Sequence, residues 1–146
     1  MTPRHFYTLD EANAMVPWLK QCFARILQLR AQLRGHYQSL EQLGYRPDDQ
    51  RLTREEGTPQ VRLLHARWSG LLEALQAELL AITNEGIEVK DLDQGLCDFW
   101  AHLDGREVYL CWRLGEARID FYHDPHTGFA GRRPLGPPEG KLPILH

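Results

Sequence analysis

The residues best suited to chemistry crowd into one stretch, His123-Asp124-Pro125-His126 followed by Thr127-Gly128-Phe129-Ala130-Gly131-Arg132-Arg133-Pro134. Imidazole and carboxylate groups are ligands for first-row metal ions. His123, Asp124 and His126 therefore form a candidate metal set, with Asp98, Asp120 or Glu107 in reach. The two histidines do not have the i, i+4 spacing that places both rings on one helical face. A second chemistry follows from the glycines ahead of Arg132 and Arg133, since backbone amides and guanidinium groups together can hold a small anion. The same two glycines serve equally well as turns that return Phe129 to a core.

The elements that must position these residues are three runs of alternating apolar residues, 96–103, 106–114 and 117–123. They are separated by Asp104-Gly105 and Gly115-Glu116, and Asp-Gly favours a tight hairpin turn, so the segment predicts a three-stranded antiparallel meander. With two residues in each turn, alternation puts Cys97, Phe99, Ala101, Val108, Leu110, Trp112, Ile119, Phe121 and His123 on a core-facing side. The opposite side then carries rows of facing residues: Trp100, Tyr109 and Tyr122; Asp98, Cys111 and Asp120; Leu96, Arg113 and Arg118; and His102 against Glu107.

Neighbours in such a row lie about 5 Å apart. One reading is a recognition face, with Trp100, Tyr109 and Tyr122 for an apolar or planar group and Arg113 and Arg118 for an anion. The other is a half-solvated sheet surface on which Asp98, Glu107 and Asp120 pair with arginines. Nucleophilic chemistry at Cys111 needs a histidine base beside it, and this register places neither His102 nor His123 there. A slip of one residue in either turn exchanges the two faces of a strand and dissolves the rows.

Upstream, Thr8-Leu9-Asp10-Glu11 is a capping box, so a helix begins near Leu9. Pro17 falls inside the pattern and predicts a kink or restart. Leu19, Cys22, Ile26, Leu29, Leu33, His36, Leu40 and Leu43 then step by three and four, a seam that Gly44 ends. A polar loop is expected over 45–57. Thr58-Pro59 opens a second helix, with Val61, Leu64, Trp68, Leu71, Leu75 and Ile82 as its seam and Asn84-Glu85-Gly86 as its stop. The two long helices are expected to form an antiparallel hairpin. Helices of about 25 residues reach roughly 37 Å, more than a small sheet covers. Val16, Phe23, Leu27, Tyr37, Leu72, Leu79 and Leu80 lie outside the seams, and a homodimer joining two hairpins through the long helices would bury them.

At 146 residues, 42% hydrophobic and 25% charged, the chain suits a single domain, 1–146, made of a helical hairpin (8–86), a meander with its Gly/Arg loop (95–134) and an extended or disordered tail (135–146). No apolar run is long enough for a membrane span. Met1-Thr2-Pro3-Arg4-His5 leads into a polar helix rather than a signal peptide, which points to the cytoplasm. Cys22, Cys97 and Cys111 lack the paired spacing of a zinc motif or disulfide scaffold and read as reduced, buried thiols. Residues 85–124 hold ten acidic and four basic side chains, and a surface of that sign disfavours nucleic acid.

Across nearly its whole length the chain resembles a bacterial family known as domain of unknown function 2203. The resemblance is carried by Phe6-Tyr7-Thr8-Leu9-Asp10-Glu11-Ala12-Asn13, by Pro17, by Gly95-Leu96-Cys97-Asp98-Phe99, by 104–116, and by His123-Asp124 through Gly128-Phe129-Ala130-Gly131-Arg132-Arg133-Pro134. It implies no particular activity. The expectation is an α+β domain, a helical hairpin packed on a three-stranded meander, that acts as a dimeric binding or interaction protein. The alternative is a metal-binding protein or enzyme using the His123, Asp124, His126 region and the acidic face of the sheet.

Overall fold

The Thr8 box forms as its spacing requires. The Glu11 amide donates to Thr8 Oγ1 at 3.1 Å and the Thr8 amide donates to Glu11 Oε1 at 2.8 Å, satisfying two of the donors a helix start leaves open. In the computed structural model, which describes residues 4–53 and 56–136, helix α1 then runs over Leu9–Gln42 with Pro17 inside it. The helix does not restart at Pro17. Proline removes one backbone bond, and the deep burial of Val16, Leu19, Cys22 and Phe23 around it holds the helix through that position.

The stretch expected to be a polar loop contains a short helix, α2 (Gln50–Thr53). Asp49 nucleates it by accepting the Arg51 amide at 2.9 Å. Leu52 anchors it in a cluster with Leu40 and Val61, flanked by Tyr45 and Leu64. Helix α3 (Pro59–Asn84) opens with the Val61 amide donating to Thr58 Oγ1 at 3.2 Å. It ends at Gly86, whose φ of +78° suits glycine and where a Cβ would lie 2.9 Å from that of His5.

Among the described residues the sheet has five antiparallel strands rather than three, in the order β1 (Ile87–Asp91), β2 (Leu96–Leu103), β3 (Arg106–Arg113), β4 (Phe121–His123) and β5 (Arg133–Pro134). A 3₁₀ turn, Phe129–Gly131, precedes β5. The Asp104-Gly105 turn is as expected: both residues have positive φ, 52° and 78°, and Leu103 pairs with Arg106.

The second connection is not a two-residue turn. Residues 114–120 do not continue the ladder but are fixed by other bonds: the Arg113 amide donates to Glu116 Oε1 at 2.7 Å, Trp112 Nε1 to the Glu116 carbonyl at 3.0 Å, and the Ile119 amide to Asn13 Oδ1 at 2.7 Å. As a result Tyr109 pairs with His123 and Cys111 with Phe121. That is one residue away from the expected register, so β4 presents its faces the other way round.

The chain divides into two compact units, one formed by residues up to Phe23 together with those from Leu80 onward, the other by Ala24–Leu79. In the first unit, Cys97, Phe99, Ala101, Val108, Leu110 and Trp112 are all fully buried on one face of the sheet, as expected. Tyr7 meets Phe99 edge-on at 5.0 Å and Phe23 meets Trp112 at 6.2 Å. Val16 and Phe23 are therefore core residues of this unit and need no second subunit to cover them. In the second, Arg25 of α1 pairs with Glu78 of α3 at 2.6 Å. Residues 137–146, the greater part of the expected tail, lie outside the described residues.

Candidate functional site

The shifted register moves His123 off the core face and onto the side of the sheet that carries Asp98, Tyr109 and Cys111. This corrects the expected placement of His123 at the edge of the core face with Phe99, Val108 and Leu110. Asp98 on β2, Cys111 on β3 and His123 on β4 are 3%, 1% and 2% exposed. Their nitrogen, sulfur and carboxylate oxygen atoms all lie within 4.8 Å of one another. His123 Nε2 is 3.0 Å from Asp98 Oδ2, and His123 Nδ1 is 2.8 Å from the Asp124 carbonyl oxygen.

A carbonyl oxygen only accepts, so Nδ1 carries a hydrogen and the ring is fixed in orientation. Burial alone pushes the imidazole pKa down. Hydrogen bonds with Asp98, Cys111 and the Asp124 carbonyl outweigh it and hold His123 well above its ordinary value. His123 Nε2 and Asp98 Oδ2 thus form a buried hydrogen-bonded pair.

A cavity of about 290 Å³ opens over the cluster. Asp98, Cys111 and His123 form its polar part, Leu96, Tyr109, Pro125, Gly128 and Phe129 its largely apolar walls, and Lys90 and Asp91 of β1 complete the lining. Tyr109 is braced from both sides. Its hydroxyl donates to Glu88 Oε2 at 2.7 Å, its ring lies 4.0 Å from Trp100 and 5.3 Å from His123, and Lys90 Nζ sits 4.9 Å above it. Burial, reinforced by the bond to the Glu88 carboxylate, raises the Tyr109 pKa, so the phenol stays neutral. Burial raises the Cys97 thiol likewise. A larger cleft of about 540 Å³ lies along Arg4, His5, 83–88 and Trp100, but among the described residues it gathers no comparable set of ligand atoms.

The other expected site residues are dispersed. Asp124 turns its carboxylate to Arg106 at 3.3 Å and Arg133 at 3.8 Å, and His126 is exposed, so neither joins His123 in a metal set. Glu107 pairs with Arg4 at 3.0 Å, and Arg118 with Asp120 at 2.9 Å, both at the surface. Tyr122 faces Leu110 and Arg133 in the ladder rather than Tyr109. The rows joining Tyr122 to Trp100 and Tyr109, Asp120 to Cys111 and Arg118 to Arg113 therefore do not form, whereas Trp100 opposite Tyr109 and Asp98 opposite Cys111 do.

The arginines do not converge on an anion. Arg132 bonds Glu116 at 3.0 Å and the Cys111 carbonyl at 3.2 Å, and its guanidinium stacks on Phe121 and Phe129. Arg113 also lies over Phe129, 5.7 Å from the ring centroid. In the glycine loop the Gly131 amide donates to the Gly128 carbonyl and the Arg132 amide to that of Phe129, so these amides are used in the turn that sets Phe129 against the cavity. The residues missed from sequence are those of β1, Glu88, Lys90 and Asp91. The alternation of Ile87-Glu88-Val89-Lys90 directly after the helix stop is the signal that identifies that strand.

Fold and site together define a class: an α+β protein with a helix-backed antiparallel sheet and a buried carboxylate, thiol and imidazole cluster beneath a small cavity. The chain belongs to the family described as uncharacterized conserved protein (DUF2203), whose model matches residues 5–135. Neither a curated protein nor a solved structure matches it.

Proposed function

We propose that the protein binds a small molecule in the cavity over Asp98, Cys111 and His123 without transforming it, and that it does so as a homodimer in the bacterial cytoplasm. The observation that carries this reading is the convergence of three buried polar side chains, from three adjacent strands, on a cavity whose remaining walls are mostly apolar. That division, a few fixed polar groups within an apolar enclosure, is what orients a small ligand. The ligand expected is one of modest size with a single polar head and an apolar body.

The absence of catalysis is argued from the ring nitrogen. A histidine that activates a cysteine must be free to take the thiol proton, but Nε2 is already engaged by the Asp98 carboxylate. Dimerisation is argued from the Ala24–Leu79 unit, where Leu27, Tyr37, Leu43 and Leu63 remain 41, 39, 42 and 51% exposed. Pairing two helical hairpins would cover these side chains. No described helix is long and apolar enough to cross a membrane, and the acidic surface of 85–124 argues against nucleic acid as partner.

The cavity is tested by native mass spectrometry of protein isolated without denaturation, compared with a Pro125→Trp variant. Pro125 is exposed at the cavity wall, so the indole should fill the space with little cost to folding. The wild type should carry, or take up from a metabolite mixture, an organic molecule that the variant does not. Equal behaviour of the two, or no uptake by either, would overturn the reading.

A further inference from the structure

We infer that Asp98, Cys111 and His123 form a site for a divalent transition-metal ion of the zinc class, held by three protein ligands with its remaining coordination position open to the cavity. The inference deepens the small-molecule reading, because such an ion would be the cavity's polar anchor. It rests on the same cavity but on different observations.

The first observation is the donor set. One thiol, one imidazole nitrogen and one carboxylate oxygen within 4.8 Å of one another is a combination suited to zinc and its neighbours and poorly suited to magnesium or calcium. Tetrahedral bonds of about 2.0–2.3 Å bring ligand atoms to roughly 3.3–3.8 Å from each other. The remaining gap of about 1 Å is within the reach of side-chain rotation.

The second is the held ring. A histidine ligand commonly donates its non-ligating N–H to a carbonyl, which fixes the tautomer and aims the other nitrogen. His123 Nδ1 does this to the Asp124 carbonyl, and Nε2 is the atom directed at Asp98. The third is placement on three neighbouring strands, β2, β3 and β4, a rigid mount for ligands. The fourth is access, since all three residues line the cavity.

Thiolate, neutral imidazole and carboxylate are the ligating forms of these three side chains, so binding would release the protons that their ligand atoms carry. Three protein ligands leave a fourth position for water or a ligand atom, which is the pattern of open rather than structural zinc sites.

The test is equilibrium dialysis of the tag-free full chain against zinc or cobalt(II) salts, with absorption spectra of the cobalt form. One ion per chain is expected, with a thiolate-to-cobalt charge-transfer band and the intense visible bands of four-coordinate cobalt. Cys111→Ser should abolish the charge-transfer band, and Cys111→Ser and Asp98→Asn should each weaken binding by at least the roughly tenfold that loss of an outer-shell partner costs, with circular dichroism confirming that both fold. His126→Ala should change nothing, and azide should shift the visible bands by occupying the open position. No retained ion, retention undiminished in Cys111→Ser and Asp98→Asn, or loss in His126→Ala would overturn the site. Cobalt binding with the thiolate band but no organic ligand would leave the metal site standing and overturn the small-molecule reading. The reverse result would overturn the metal site alone.

Discussion

The most consequential single contact is that between His123 and Asp98, side chains 3% and 4% exposed at 3.0 Å. Leaving one member of such a pair alone strands a charge or a donor in the interior, which costs about 3–5 kcal/mol, whereas replacing both by apolar groups of similar size is often close to neutral. Asp98→Leu and His123→Leu should each lower the urea midpoint of the metal-free protein strongly, and the double variant should recover much of the loss. Additive losses in a double-mutant cycle would mean that the pair does not act as one unit. Tyr7 offers a separate residue-scale expectation. Its hydroxyl donates to the Glu85 carbonyl, and burial, followed by the charges of Glu85 and Glu11, pushes its pKa up to about 12. A folded-state pKa above the ordinary value near 10 means that this contribution to stability is intact below that pH and is lost as pH rises through about 12. Tyrosinate absorbance should therefore show two phenols, Tyr7 and Tyr109, ionising later than the exposed tyrosines and only one in Tyr7→Phe, and the alkaline loss of stability should be shallower in that variant.

At the scale of elements, the two turns of the sheet explain why one strand pairing was readable and the other was not. Asp104-Gly105 closes on itself with both residues at positive φ, needing nothing from the rest of the chain. The connection between β3 and β4 is held by Asn13 of α1, which accepts from the Ile119 amide, and by Arg132, which pairs with Glu116. Its length is therefore set by partners remote in sequence. Gly95 and Gly105 provide a matched test of how tightly the sheet corners are built. Both have positive φ, but a Cβ at Gly95 would fall 2.6 Å from that of Leu114, whereas at Gly105 nothing lies within 4 Å. Gly105→Ala should cost about 1–2 kcal/mol from the backbone alone, and Gly95→Ala distinctly more, read as the difference in urea unfolding. Similar losses would show that Leu114 yields freely.

At the scale of the whole molecule, exposed apolar surface on the helices sets the expectation for assembly. Light scattering should give twice the 16.9 kDa chain mass, and Leu63→Glu combined with Leu27→Glu should return it to the monomer, since these side chains are exposed and their replacement leaves the core intact. A monomeric wild type would remove the dimer. Features governed by neighbours along the chain were legible in the sequence. The Thr8 and Thr58 caps, the extents of the long helices, the Asp104-Gly105 hairpin and the buried alternation from Cys97 to Trp112 follow from spacing of three, four and two residues. The rows joining Trp100 to Tyr109 and Asp98 to Cys111 followed from that one turn. Three-dimensional packing settles the rest: that Val16 and Phe23 are covered within their own unit, that β1, itself visible as an alternation, and β5 join the sheet, and that His123 rather than Asp120 stands beside Cys111. The physical reason is the period of the strand. A two-residue repeat carries no memory of register across a connection fixed by distant groups, and one residue of slip there exchanged an acidic surface row for a buried cluster of carboxylate, thiol and imidazole.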